Sequence, residues 1–156
     1  FGERNFIHAR ERTLRIGDNT VFRRHDTVQG YLDVEIGGKG IIADWIYICD
    51  FDHVFADIDR PITEQGIVKS PVRIGPDVWI GTKVSVLRGT TVGHGCVLAA
   101  NSVVRGNVPP MSVMGGVPAR LLKDRVGEYR AAEQQRIDVA DIARKTAKAA
   151  KEHAGR

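Results

Sequence analysis

IGPDVWIGTKVSVLRGTTVGHGCVLAANSVVRGNV, residues 74–108, repeats with a period of six. Every sixth residue is aliphatic: Ile74, Ile80, Val86, Val92, Leu98 and Val104. Four places after each stands a small or β-branched residue: Val78, Val84, Thr90, Cys96, Ser102 and Val108. Gly75, Gly81 and Gly93 directly follow three of the aliphatic positions. An α-helix repeats at about 3.6 residues and a pleated strand at about two, so neither gives a strict six. A parallel β-helix does, because one hexapeptide forms one side of a triangular coil and three complete a turn. The aliphatic side chain fills the narrow interior, and the residue four places on is small because it also points inward. Glycine beside the corner is expected to supply backbone conformations that bulkier residues resist. Strands of a β-sandwich would not hold one register for so long.

Upstream the same pattern is looser. Ile16, Phe22, Val28 and Val34 keep the spacing of six, then the register slips by two and Ile36, Ile42 and Ile48 continue it. Such a slip preserves the inward face only if a corner absorbs it, so a small bulge is expected near Asp33 to Glu35. Between Ile48 and Ile74 the period breaks for 26 residues. This segment is polar, carries Pro61 and Pro71, and shows no helix or strand signal. A loop of that length inside a compact domain is usually functional. Beyond Val108, Pro109-Pro110 is expected to end the regular coil, since proline cannot donate to the ladder. A helical stretch is expected from about Asp124, with Asp124 and Glu128 early and Arg144, Lys145, Lys148 and Lys151 late, a charge order that suits the helix dipole. Its last ten residues, rich in Ala and Lys, are expected to fray. The expected division is a β-helix over 1–123, with an excursion at 51–73, and a helical extension over 124–156.

A chain of 156 residues suits one domain with a terminal appendage. It opens on Phe1, not Met, as a fragment or a trimmed chain does, and a signal peptide ahead of it would be invisible. No apolar run is long enough to span a membrane. The net charge of +4 sits in the tail: residues 120–156 hold 10 Lys/Arg against 6 Asp/Glu, whereas 1–119 hold 13 of each. That distribution reads as a solvated helix face, not as a nucleic-acid surface. Cys49 and Cys96 form no disulfide framework, and Cys96 falls at an inward small position, so a buried free thiol in a reducing cytoplasm is expected. His53 and His94 lack a third partner for zinc, so no metal is expected.

The order His53, Arg60-Pro61-Ile62, Gln65, Val72-Arg73-Ile74-Gly75, Asp77-Val78-Trp79-Ile80-Gly81, Asn101-Ser102-Val103-Val104, Val108-Pro109-Pro110, Gly116-Val117-Pro118-Ala119-Arg120 resembles the hexapeptide-repeat acyltransferases. Within these it is similar to the maltose/galactoside O-acetyltransferases and their relatives that acetylate polysaccharides. The resemblance is specific from Ile48 to Lys123. It implies a left-handed parallel β-helix, an exception to the right-handed crossover rule. It also implies a homotrimer with active sites between subunits, and acetyl-CoA as donor to a sugar or glycan hydroxyl.

By this resemblance His53 is the catalytic base. Acyl transfer from a thioester to a hydroxyl requires removal of the hydroxyl proton during attack, and an imidazole does this near neutrality. Direct attack on bound acetyl-CoA, with backbone N–H groups holding the oxyanion, needs no serine or cysteine nucleophile. Trp79 stands where the family pattern also has Trp, either as a wall of the acceptor or pantetheine site or packed on the 51–73 loop. Ala99, Ala100 and Asn101 sit where the family runs a narrow channel for the pantetheine arm. Arg105, Arg120 and Lys123 follow the last coils, where the family binds the nucleotide end of coenzyme A. The family's usual glycine-rich stretch and Thr-Lys pair are replaced by Ala-Asn and Arg105-Gly106. Two rival readings share these residues: N-acetylation of an amino sugar, and a catalytically silent β-helical scaffold subunit.

Overall fold

In the computed structural model the backbone is described for residues 1–154 and side chains for 1–145. Chain contacts divide it into two units, Phe1–Lys123 and Asp124–Arg156. The first is a parallel β-helix of about five turns with three flat faces. Face A stacks Phe6–Ala9, Thr27–Gly30, Tyr47–Cys49, Ser85–Val86 and Val103–Val104. Face B stacks Thr13–Ile16, Asp33–Ile36, Val72–Ile74, Thr91–Val92 and Asn107–Val108. Face C stacks Val21–Phe22, Ile41–Ile42, Trp79–Ile80, Val97–Leu98 and Ser112–Gly116, with Ala119–Asp124 added at its end.

The core follows from this stacking. Each face sends one column inward: Ile7–Val28–Ile48–Val86–Val104 from A, Ile16–Ile36–Ile74–Val92–Val108 from B, and Phe22–Ile42–Ile80–Leu98–Met114 from C. The columns interlock with the residues four places on, Val78, Val84, Thr90, Cys96 and Ser102, which are buried as the repeat requires. The hydroxyls of Thr90 and Ser102 are satisfied locally: Thr90 Oγ1 donates to the Leu87 carbonyl (2.6 Å) and Ser102 Oγ to that of Ala99 (2.6 Å).

Chain length varies at one edge only. From B to C and from C to A the step is always six, as in Ile36, Ile42, Ile48 and in Val92, Leu98, Val104. From A to B it is nine (Ile7 to Ile16), eight (Val28 to Ile36), 26 (Ile48 to Ile74), six (Val86 to Val92) and four (Val104 to Val108).

This corrects three sequence expectations. Asp33–Ile36 is a regular strand with Val34 and Ile36 both buried, so the register slip lies at Tyr31–Leu32 in the corner before it. Val108 pairs with Val92 and begins a new side, so it is not the small residue of the preceding one. Pro109-Pro110 occupies a corner without ending the coil, because Val113 and Met114 continue the stack on Val97 and Leu98.

Gly75, Gly81 and Gly93 do a different job from the one expected. They do not take positive φ; those corner positions belong to Asn19, Lys39, Asp77, Gly95 and Met111 on the B–C edge and Arg4, His25, Trp45, Lys83 and Asn101 on the C–A edge. Gly93 is required by close approach, since a Cβ there would lie 2.5 Å from the Pro110 nitrogen.

The second unit holds the helix Arg125–Ala154, one residue after its expected start. Asp124 Oδ1 accepts the Val126 N–H (3.0 Å), satisfying one of the free donors of the first turn. The expected fraying of 147–156 and the late Lys148 and Lys151 lie outside the residues whose side chains are described. Among the described residues no helix is long and apolar enough to cross a membrane.

Candidate active site

The 26-residue step on the A–B edge is a built structure. Phe51–His53 and Ile67–Lys69 pair antiparallel, with His53 opposite Ile67, and the turn Ile62–Glu64 sits near the tip. Three-residue strands such as Phe-Asp-His carry too little alternation to be seen in the sequence, so this hairpin went unpredicted. Gln65 ties the tip together: its amide donates to the carbonyls of Asp57 and Arg60 (both 2.8 Å) and accepts from the Asp57 N–H (3.1 Å).

The base of the hairpin is fixed to the coils on both sides. Below, the buried Asp50 carboxylate accepts N–H groups of Tyr31, Leu32 and Asp33 (2.8, 2.7 and 2.7 Å), the donors freed by the enlarged corner. Above, Arg88 Nε donates to Asp52 Oδ2 (2.6 Å) and the Gly89 N–H to the Ser70 carbonyl (3.1 Å). Alternation along Phe51–His53 turns Asp52 and His53 to opposite sides. Phe51 packs edge-on against Tyr31 (4.5 Å between ring centroids) and contacts His53 edge-on (6.4 Å). Lys69 pairs with Glu11, and Arg73 with Asp33. His53 is thus an exposed imidazole on a short strand clamped by an ion pair, a carboxylate staple and an aromatic contact.

Two titratable groups sit on the strand just before the hairpin. Burial pushes the Tyr47 hydroxyl up to about 12, helped by its hydrogen bond with Cys49. Burial likewise raises the Cys49 thiol, which donates to the Phe51 carbonyl (3.5 Å), so both stay neutral at pH 7. Cys96 is buried and donates to the Pro109 carbonyl (3.0 Å). Among the described residues no group of three or more His, Cys, Asp or Glu is placed to hold a metal ion.

The remaining sequence candidates lie elsewhere on the prism. Ala99, Ala100 and Asn101 form the C–A corner of the fourth turn. There Ala43, Gly81, Ala99 and Gly115 stand in register, each beginning its corner, as the ladder Ala43 to Ile80, Gly81 to Leu98 and Ala99 to Met114 shows. They form a row of small residues, of which Gly81 and Gly115 are buried and Gly115 lies against the Leu122 side chain. Trp79 points outward from face C two residues before Gly81, between Ile41 and Val97, and is 53% exposed. Arg120 and Lys123 sit on Ala119–Asp124 at the end of face C, while Arg105 lies on the A–B edge with the hairpin. The three cations therefore do not form one cluster, because Val104 to Val108 turns the chain away from face A between them. Sequence reasoning missed Arg88 and the stapling role of Asp50, whose signal is a spacing of one coil.

Residues 71–106 match the family model described as bacterial transferase hexapeptide (six repeats). The chain is a hexapeptide-repeat protein. It is similar to a probable acetyltransferase of Mycobacterium tuberculosis, 53% identical over 150 residues, covering 94% of this chain and 50% of that protein. A putative lipopolysaccharide biosynthesis O-acetyl transferase of Escherichia coli is 36% identical over 113 residues, covering 68% and 58%. The chain thus spans about half the length of these curated relatives. Among solved structures, a galactoside acetyltransferase in complex with coenzyme A superposes with TM-score 0.65 at 30% identity, covering 70% of this chain and 54% of that one. A hexapeptide-repeat acetyltransferase from Vibrio cholerae complexed with acetyl coenzyme A gives 0.65 at 34%, covering 70% and 58%.

Proposed function

We propose that this chain forms an acetyl-CoA-dependent O-acetyltransferase site that acts on a sugar or glycan hydroxyl, with His53 as general base. The observation that carries the reading is an exposed imidazole held on a braced hairpin beside the regular coil. The unprotonated imidazole nitrogen takes the acceptor hydroxyl proton as the oxygen attacks the thioester carbonyl. The tetrahedral oxyanion collapses, the C–S bond breaks, and the imidazolium returns the proton to the departing thiolate. Backbone N–H groups hold the oxyanion.

The row Ala43, Gly81, Ala99 and Gly115 suits the floor of a groove for the pantetheine arm. Three coil spacings span ~14 Å. An arm as long as about four extended residues reaches a similar ~14 Å. Arg120 and Lys123 at its upper end suit the phosphates of the nucleotide, with Trp79 as a side wall and Arg105 meeting the ligand from a neighbouring copy. An acetyl-CoA donor favours a cytoplasmic location.

His53 and the groove occupy different edges of one prism, separated by face A. A homotrimer with parallel prisms resolves this, bringing the A–B edge of one copy to the C–A edge of the next. Face C supports such packing: Val21, Ile41, Trp79, Val97 and Val113 form a continuous outward apolar ladder.

Thiol release from acetyl-CoA, assayed across a panel of glycosides, tests the reading. His53→Ala is expected to lower kcat by at least a hundredfold while acetyl-CoA affinity, measured by calorimetry, changes less than threefold. Equal rates in the variant would sink the mechanism, and no acetyl-CoA binding by the wild type would favour the scaffold. Light scattering checks the trimer.

A further inference from the structure

Two stacked aromatic rings on the C–A edge have no part in the chemistry above. Trp45 is 56% exposed. His25, one coil below, lies against it with ring centroids 4.2 Å apart and planes 9° from parallel. With one face covered by His25, the exposed area of the indole is its other face and its rim. The spacing is fixed by the corners beneath: the Trp45 N–H donates to the Arg24 carbonyl (3.0 Å), and Asp44 accepts the Arg24 N–H (3.0 Å).

The coil itself does not call for these residues. Trp45 has a φ of 66°, a left-handed conformation that is a genuine outlier for a bulky side chain, and His25 below it shares the conformation at 62°. The same corner position in other coils carries Arg4, Lys83 and Asn101. An exposed indole in an unfavourable conformation, braced from behind, has the properties of a contact surface for a ligand.

Position along the prism says which ligand. Trp45 follows Ala43 by two residues, at the lower end of the small-residue row. Arg120 and Lys123 lie at the upper end, where the nucleotide of coenzyme A belongs, so the adenine is distant from Trp45 and the thioester end is near it. The hairpin bearing His53 leaves the chain from the same coil as Trp45, after Ile48. Rotation about a threefold axis parallel to the prism changes no height, so His53 of an adjacent copy arrives level with Trp45. Base, thioester and indole then converge at one level, and the remaining reactant is the acceptor.

We propose that Trp45, backed by His25, is the platform on which the acceptor ring lies, and that the acceptor is a pyranoside presenting a face of C–H groups. This rests on the acetyltransferase reading and deepens it. The ring's C–H face packs on the indole π-face while its hydroxyls point to the rim, where one of them meets the imidazole.

Trp45 and Trp79 are the two tryptophans of the chain, so Trp79→Phe leaves Trp45 as the sole indole reporter. Titration of that variant with methyl β-D-galactopyranoside and methyl β-D-glucopyranoside is expected to shift indole emission saturably, whereas glycerol does not. In steady state with the otherwise wild-type protein, Trp45→Ala is expected to raise acceptor KM at least tenfold with acetyl-CoA KM within twofold, and Trp45→Phe to recover most of the loss. An unchanged acceptor KM, or an equal rise in acetyl-CoA KM, overturns the platform, and so does loss of the oligomer in Trp45→Ala by light scattering. If no pyranoside releases thiol with the wild type, the acetyltransferase reading fails. The emission titration decides the platform independently of turnover.

Discussion

Asp26 offers a test of the fold's electrostatics that needs no substrate. Its side chain is fully buried beneath the second coil, Oδ1 accepts the Ile46 N–H (2.9 Å), and Oδ2 has no partner. Burial penalises the charged form and is the largest effect, lifting the pKa from 3.8 to about 6 against the opposing Ile46 hydrogen bond. A raised carboxylate pKa means that the folded state holds a proton the unfolded chain has released between those two values. Stability from this group is therefore full below pH 4 and lost as pH rises through 6. The shift, at 1.36 kcal/mol per pH unit, corresponds to at most about 3 kcal/mol. Asp26→Asn keeps the shape and the Ile46 acceptor while removing the titration. The variant is expected to match the wild type near pH 3.5 and to exceed it by about 1–3 kcal/mol at pH 7.5, the gap opening between pH 4 and 6. Urea denaturation at fixed protein concentration measures this, since oligomerisation makes apparent stability concentration-dependent. A gap independent of pH, or a variant less stable at pH 7.5, would refute the reasoning.

Arg88→Met removes the cation that holds Asp52. The pair is partly exposed, so stability should change by less than about 1 kcal/mol. Catalysis should respond more, because the hairpin loses its upper anchor: kcat is expected to fall about tenfold with donor KM unchanged, and the Asp52→Asn/Arg88→Met double variant no further. Strict additivity in that cycle would show that the two act separately. Gly93→Ala places a Cβ against the Pro110 backbone and should destabilise by about 1–3 kcal/mol, read as a lower urea midpoint; a neutral result would show that the final coil moves freely.

The legible part of this protein is the part where geometry leaves no choice. A triangular interior admits one large and one small side chain per side, so Ile74 to Val104 declare the fold through their spacing. Corners obey no such rule. The slip at Tyr31–Leu32 and the shortened step from Val104 to Val108 both read as irregular sequence, and only the pairing of Ile36 with Ile74 and of Val108 with Val92 locates them. Glycine was misread for a related reason: Gly93 answers to a proline in the next coil, not to its own φ. The motif marks His53 as the candidate, whereas the contacts of Asp50 and Arg88 and the stack of His25 on Trp45 depend on residues one coil apart. Reading the chain in coil lengths, not hexads, brings them together.

Confinement of every length change to the A–B edge also explains why the hairpin that carries His53 is where it is. A residue added at either of the other edges would displace the inward column of the next face and every coil hydrogen-bonded to it. At the A–B edge the added chain leaves the ladder before the next strand starts, and Asp50 satisfies the donors that the enlarged corner frees. The helix thus tolerates an excursion of 26 residues there without loss of register on either side. The other two edges, held at six, can present only rows of corner residues. Those rows present fixed lines of corner residues, whereas the one variable edge can carry a braced excursion such as the hairpin bearing His53. A site drawing on both kinds of edge, as proposed above, would need a second copy of the chain.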